Sequence, residues 1–419
     1  MSNKMDSTDM KQETTGELKP KLRFPEFQDA PEWEEKKLLD VCDINPSNEG
    51  LPESFVYIDL ESVVAGRLIY NKKIYRDSAP SRAQRLLKHG DVIYQIVRPY
   101  QRNNLFCAFD DENSYVASTG YAQLRSFDVS KFLYQLVHTD TFVTKVIDKC
   151  TGSNYPAINS SDLAEITVAI PKAPEQQKIA DCLSSLDDLI VAQNQKFNAL
   201  KTHKKGLLQQ LFPAEGESLP QFRFPEFENA PEWKKKKAGA LFANRTEGGK
   251  EGLPIYSVTM NNGMIKRALL DRDVDDIAKP EGNRKVYKDD IAYNMMRMWQ
   301  GASGVAVEDC MVSPAYVVLA PQDDICSDFF GYLLKLPGYL KLLISHSQGL
   351  TLDRLRLYYK DFAHILLLYP SLPEQQKIAD CLSSIDELII AQSQQLDALR
   401  IHKKGLMQQL FPSSDEPQA

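Results

Sequence analysis

Apolar residues recur along residues 174–213 in alternating steps of four and three: Ile179, Leu183, Leu186, Ile190, then Gln193 where an apolar residue is due, then Phe197 and Leu200, continuing through Lys204, Leu207 and Leu211. Residues 373–412 repeat the seam as Ile378, Leu382, Ile385, Ile389, Gln392, Leu396, Leu399, Lys403, Leu406 and Leu410. This is a heptad pattern, and its narrow apolar stripe between charged flanks predicts helix pairing rather than a helix sunk in a globular core. Pro174 and Pro373 suit a first helical turn, with Glu175 and Glu374 at the positive end of the dipole; Pro213 and Pro412 stop each helix. About 38 residues at ~1.5 Å each give a rod of roughly 57 Å. The two copies are expected to form an intramolecular coiled coil. Gln193 and Gln392 either fix its register or are lapses that face solvent.

The two stretches are 40 residues each and identical at 30 positions without a gap, which marks an internal duplication. It reaches further. LRFPEFQDAPEW at residues 22–33 returns as FRFPEFENAPEW at 222–233, and reads as an extended lead segment packed by Phe and Trp. The order is lead segment, variable region, long helix, twice over. The variable regions, 34–173 and 234–372, show no clear likeness to each other. Each reads as mixed α/β. In the first, SFVYIDLESVV, GDVIYQIV and LAEITVAIP look like strands and KFLYQLVHTDTFVTKVIDKC like one helix. In the second, LPIYSVTM, DDIAYNMM, PAYVVLAP and FAHILLLYP look like strands, and DFFGYLLKLPGYLKLLISH like a helix broken at Pro337. The expected division is a disordered tail at 1–21, lead segment and first domain at 22–173, central helix at 174–213, second lead segment and domain at 214–372, C-terminal helix at 373–412 and a disordered tail at 413–419.

Composition is that of a soluble globular protein, with no apolar run long enough to span a membrane and no secretory h-region at the start. Seven scattered cysteines without a CxxC pair point to reduced thiols in a cytoplasm, and six dispersed histidines offer no metal site. The net charge of −7 argues against nucleic acid only as a sum. Residues 66–109 hold nine Lys/Arg against Asp77 and Asp91, including Lys72, Lys73, Arg76, Arg82 and Arg85. This stretch ends in RPYQRNN, where Arg98, Tyr100, Gln101, Arg102, Asn103 and Asn104 supply side chains suited to base edges, unless this is a solvated loop beside a basic surface. In the second region MRMWQGASG at 296–304 follows a strand in a comparable place. Arg297, Trp299 and Gln300 there, with Arg284 and Lys285 just upstream, form either a DNA-facing loop or a core turn. RLRLYYK at 354–360 is either a phosphate-contacting edge or a packed strand edge.

Catalytic signatures are absent: no GxxxxGK[ST] phosphate loop, no Gly-rich cofactor turn, and at Asn45 only NPSN, half of an adenine-methyltransferase NPP[YF] motif. A repeated PEQQKIADCLSSxDxLI helix behind a variable α/β domain with an RFPEF…W lead segment resembles the specificity subunit of type I restriction-modification systems. The resemblance covers nearly the whole chain in architecture and is specific in sequence over the lead segments and helices. It implies an α/β (α+β) fold: two globular target recognition domains separated by two long conserved helices, paired as an antiparallel coiled coil with pseudo-twofold symmetry. It further implies that each domain reads one half of a bipartite, asymmetric site in double-stranded DNA. The helices would space the half-sites, modules about one helical turn (roughly 34–36 Å) apart facing one side of B-DNA. They would also dock two modification subunits. S-adenosylmethionine, ATP and Mg would belong to those modification subunits and to restriction subunits, with no cofactor and no catalytic residue in this chain. Two other classes stay open on the residues alone: a stand-alone enzyme with the helices as a dimerisation rod, and a coiled-coil scaffold that never touches DNA.

Overall fold

The computed structural model describes residues 18–152, 154–260, 262–270 and 279–412. The chain divides into two units, one of residues 1–194 with 394–419, the other of residues 195–393. Two 39-residue helices, Ala173–Leu211 and Leu372–Leu410, contribute to both, so each unit holds the first part of one helix and the last part of the other. In the first unit Ile179, Ala180 and Leu183 share a core with Leu406, Met407, Leu410 and Phe411. In the second, Ile378, Ala379 and Leu382 pack with Leu207, Leu208, Leu211 and Phe212. Early residues of one helix meet late residues of the other, so the pairing within each unit is antiparallel. The seam is buried at Ile179, Leu183, Ile378, Leu382, Ile385 and Leu396, and half-buried at Leu186, Ile190, Phe197, Leu200, Ile389 and Leu399. Gln392 is buried in it and Gln193 half-buried, which removes the solvent-facing reading for Gln392. At the seam lysines the charge is met across the pair: Lys403 Nζ donates to Asp187 Oδ1 at 2.6 Å, and Lys204 Nζ to Asp386 Oδ2 at 2.6 Å.

Each unit carries a domain built on the same strand orders. In the first, one four-stranded sheet runs Lys72–Tyr75, Ser54–Ile58, Tyr115–Ser118, Ala83–Leu86, and another Cys42–Ile44, Tyr121–Ser126, Val92–Gln95, Leu105–Phe106. In the second, the counterparts are Gly263–Lys266, Ile255–Thr259, Cys310–Val312, Arg284–Val286, and Phe242–Arg245, Tyr316–Pro321, Ile291–Asn294, Ser303–Val305. A parallel contact recurs too, between Tyr115–Ser118 and Ser54–Ile58 and between Cys310–Val312 and Ile255–Thr259. A two-stranded ribbon ties the strand after each lead segment to the strand before each long helix, Glu34–Lys37 to Thr167–Ile170 and Lys234–Lys237 to Leu366–Tyr369. The variable regions are therefore one fold twice. A few buried residues recur with it: Tyr94 and Tyr293 are both fully buried, and the buried Asp91 and Asp290 each bind an arginine, Arg125 from the adjacent strand Tyr121–Ser126 and Arg245 from Phe242–Arg245, one strand further off.

Several expected elements differ. The helix expected over 131–150 is two, Ser130–Leu136 and Asp140–Asp148, because Thr139 Oγ1 accepts from Phe142 N and caps a new start. The second domain breaks at Pro337 as expected, between Ser327–Leu333 and Pro337–Ser345. RLRLYYK forms no strand: Arg356 makes an isolated bridge to Gln348, and the short helix Tyr359–Phe362 follows. The tail expected over 1–21 is ordered from residue 18, where Leu18 O accepts from Trp33 N and the Leu18 side chain packs on the first core. The rest of that expected tail, and the one expected at 413–419, lie outside the described residues.

The lead segments do more than pack aromatics. Arg23 donates to both carboxylate oxygens of Glu175, each at 2.7 Å, and to the carbonyls of Ala30 and Pro31; Trp33 Nε1 adds a third donor to Glu175 at 3.3 Å. Arg223, Glu374, Trp233 and the carbonyls of Ala230 and Pro231 repeat this arrangement. A bidentate arginine with its remaining donors on carbonyls is the form in which a buried pair can offset its desolvation. It fixes the first turn of each long helix to its own lead segment.

Candidate nucleic-acid interface

The 98–104 loop leaves the first domain's second sheet after Val92–Gln95. Its 3-10 turn Pro99–Gln101 is flanked by Arg98 at φ 54° and Arg102 at φ 53°, both left-handed. Non-glycine residues pay for that conformation, so the surroundings must hold it. Arg98 N donates to Pro156 O at 2.7 Å and its guanidinium lies 4.3 Å from the Tyr155 ring centre. Arg102 donates to His138 O at 2.9 Å and to Asp140 Oδ1 at 2.6 Å. Asn103 Oδ1 accepts from Ala65 N at 3.2 Å. Asn104 is buried: its Oδ1 accepts from Gln95 N at 2.8 Å and its Nδ2 lies 3.3 Å from His138 Nε2. Asn104 is thus a strut inside the loop, not a side chain offered to a base. Tyr100 and Gln101 are exposed at the tip, with Gln101 Oε1 steadied by Gln95 Nε2 at 2.9 Å.

Under this loop His138 Nδ1 is 2.6 Å from Tyr134 O, which makes Nδ1 the donor and leaves Nε2 to accept from Asn104. Burial pushes the His138 imidazole down to about 4; the carbonyl of Tyr134 opposes this, and Lys403 and Arg102 lower it further.

The other candidates of the first domain do not form one patch. Lys72 and Lys73 lie on the strand at one edge of their sheet and Arg85 on the strand at the opposite edge. Lys73 donates to Asn113 Oδ1 at 3.3 Å, and Arg76 to Leu51 O at 3.2 Å. Arg82 is exposed. Arg85 is half-buried, and burial lowers its guanidinium pKa.

In the second domain the 3-10 turn Met298–Gln300 sits at the same place, after Ile291–Asn294, and ends on Gly301 at φ 83°. Arg297 is exposed and donates to Gln300 Oε1 at 3.2 Å; Trp299 is half-buried, its Nε1 donating to Met296 O at 3.0 Å. Lys285 is engaged inside the domain, with Tyr287 OH at 2.7 Å and Glu247 Oε1 at 3.2 Å, and Arg284 beside it is half-buried.

Sequence reasoning missed what lies beside the first loop. A cleft of about 1210 Å³ is lined by Tyr100 and Arg102, by the Val63–Leu68 hairpin, and by Lys403, Lys404 and Gln408 of the C-terminal helix. His138 and Asp187 also line it. Among the described residues no helix is long and apolar enough to cross a membrane.

Known proteins resemble this arrangement. The HindI specificity subunit of a type I restriction enzyme from Haemophilus influenzae is 26% identical over 162 residues, 38% of this chain and 35% of that protein. The chain thus spans about a third of that relative's length. The MjaIX specificity subunit from Methanocaldococcus jannaschii is 25% identical over 301 residues, 67% of this chain and 68% of that protein. Among solved structures, a type I restriction-modification S subunit from M. genitalium shares the fold at a TM-score of 0.62 and 17% identity, covering 94% of this chain and 100% of that one. A chain from a type I R-M system studied for its complex assembly and conformational transition matches at 0.52 and 20% identity, covering 91% and 98%. Residues 31–202 and 232–400 each match the type I restriction modification DNA specificity domain. The chain belongs to that family and carries its domain twice.

Proposed function

We propose that this chain is the DNA-reading, non-catalytic subunit of a cytoplasmic type I restriction-modification complex. Each α/β domain reads one half of a bipartite, asymmetric site in duplex DNA. The helix pair spaces the half-sites and docks two modification subunits. Those subunits bring S-adenosylmethionine and adenine methylation, and restriction subunits bring ATP- and Mg-dependent cleavage. One observation carries the reading: two copies of one topology present a polar-aromatic loop at the same place, after Val92–Gln95 and after Ile291–Asn294, and the two loops differ in chemistry. A duplicated frame with unlike tips is what recognition of two unlike half-sites requires, because base-edge contacts specify sequence while the frame only positions them. Tyr100 and Gln101 in the first domain, and Arg297, Trp299 and Gln300 in the second, are assigned the base contacts. Lys72, Lys73, Arg76 and Arg82 are left for phosphates.

Co-expression with a modification subunit, followed by mapping of adenine methylation across the host genome, tests this. The expected result is one bipartite motif that disappears when this chain is deleted. A stable complex without any motif would refute DNA reading, and failure to form a complex would refute the docking role.

A further inference from the structure

The cleft beside the 98–104 loop belongs to the first domain's own design. Among the described residues the second domain shows no counterpart to its roof: residues 59–71, which include the Val63–Leu68 hairpin, separate Ser54–Ile58 from Lys72–Tyr75, whereas Ile255–Thr259 and Gly263–Lys266 are only three residues apart in sequence. The hairpin is fitted closely. Gly66, at φ 76°, approaches Tyr134 so nearly that a Cβ there would lie 2.5 Å from the hydroxyl, and Ala65 N is tied to Asn103 of the loop.

The lining is cationic in a particular way. Arg102 and Lys403 are bound to Asp140 and Asp187. Arg67 and Lys404 also line the cleft; among the described residues neither has a carboxylate within salt-bridge distance, and Lys404 acts on Asp140 only from further off. At about 1210 Å³ the space exceeds the ~300–1,000 Å³ typical of small-molecule sites, so an extended occupant fits it better than a compact one. The exposed Tyr100 of the loop is among its lining residues.

We propose that this cleft seats the sugar–phosphate backbone of the DNA that flanks the base pairs met by the 98–104 loop, with Arg67 and Lys404 each neutralising a phosphate. The inference rests on the DNA reading above. It makes the two domains unequal: the first holds backbone where the second only reads.

The test is a salt titration of binding by the full chain to a mixed-sequence DNA duplex. Each phosphate contact contributes about 0.9 to the slope of log K against log salt, so Arg67→Ala with Lys404→Ala should lower that slope by about 2 and weaken binding roughly tenfold or more near ~0.1 M salt. Arg67→Lys with Lys404→Arg should keep the slope. In the unmodified chain, Lys404 should become less reactive to an amine-acylating reagent when the duplex is bound, a readout independent of any variant's folding. An unchanged slope and an unprotected Lys404, with the duplex still bound, would overturn the cleft assignment and leave the DNA reading standing. Absence of duplex binding by the unmodified chain, alone and with its modification subunit, would sink both. Poly-glutamate binding that the alanine pair abolishes, while DNA binding is untouched, would overturn the proposal in favour of an acidic peptide.

Discussion

Arg102 and Gly301 hold the same post, the left-handed residue that ends the 3-10 turn after the equivalent strand in each domain. Glycine takes that conformation freely; arginine takes it under strain. The first domain supplies compensation, since the helix after its hinge begins with Asp140, which grips Arg102, and His138 two residues earlier lends its carbonyl. The equivalent helix in the second domain begins with Pro337, and Lys335 stands where His138 does. The divergence is coordinated: the acid exists where the arginine does. The frame below repeats in role even where residues change. Asp187 takes Gln135 Nε2 at 2.9 Å and Asp386 takes Tyr332 OH at 2.8 Å, the sixth residue of its helix in each case. Frame and tip are separate layers of this sequence, under different constraints.

If the frames are equivalent, breaking them should cost the same in both units, and this is the largest effect expected. Arg23→Ala leaves Glu175 buried without its cation, and Arg223→Ala does so for Glu374; the four side chains are 8% exposed or less. Each should lose about 3–5 kcal/mol in urea unfolding. A difference of more than ~1 kcal/mol between them would break the equivalence. Arg23→Met with Glu175→Leu should recover most of the loss, since the penalty is that of a stranded charge.

How much of this was legible follows the same division. The helices, their pairing and the duplication stand in the heptad steps and in 30 identical positions, because long periodic segments leave few alternatives, while the antiparallel sense came only with the family resemblance. The Arg23–Glu175 lock had a signal that went unread: arginine and glutamate recur in both lead segments and both helix starts. The shared topology of the variable regions had little beyond the paired Asp91/Asp290 and Tyr94/Tyr293, because most buried strand positions constrain volume and apolarity rather than identity. The tip was misjudged by chemistry alone. Asn104 looks like an adenine contact in RPYQRNN, yet it turns inward to satisfy a backbone N–H and a histidine. Charge density misled in the same way: Lys72 and Arg85 are near in sequence and lie at opposite edges of a sheet.

Acid should separate the two domains next. Burial holds the His138 imidazole down at about 4, below its ordinary 6.5, so the unfolded chain binds the proton more readily than the folded one. Its contribution is complete above about pH 6.5 and is lost as the pH falls toward 4. Because the ring reaches the cleft in part, the loss should be about 1–2 kcal/mol. His138→Gln should flatten that portion of the stability-against-pH curve, measured by urea unfolding from pH 7 to 4. A slope unchanged by the substitution would show that carboxylates alone carry the acid response.

Moving the arginine tests whether the acid must travel with it. Gly301→Arg puts a side chain at φ 83°, where a Cβ would make only ordinary contacts with Leu340 and Lys335, at 3.6 and 3.7 Å. The cost is then backbone strain plus a cation near Lys335, about 1–2 kcal/mol. Adding Pro337→Asp should offset part of it by supplying the carboxylate the first domain has. No gain from the added aspartate would mean that Arg102 owes its place to something other than Asp140.

The reverse change should hardly touch stability. Arg102→Gly relieves about 1 kcal/mol of strain and gives up an ion pair whose partners are 36% and 50% exposed, so the two nearly cancel. Under the proposed DNA reading its effect falls on recognition. Without the guanidinium on Asp140, the turn that carries Tyr100 and Gln101 loses one of its anchors while the frame stays intact. In a genome-wide methylation map, one half of the bipartite motif should lose definition and the other should stay sharp. A motif sharp in both halves would mean that the tip of this loop does not read bases, and the assignment of Tyr100 and Gln101 would fall with it.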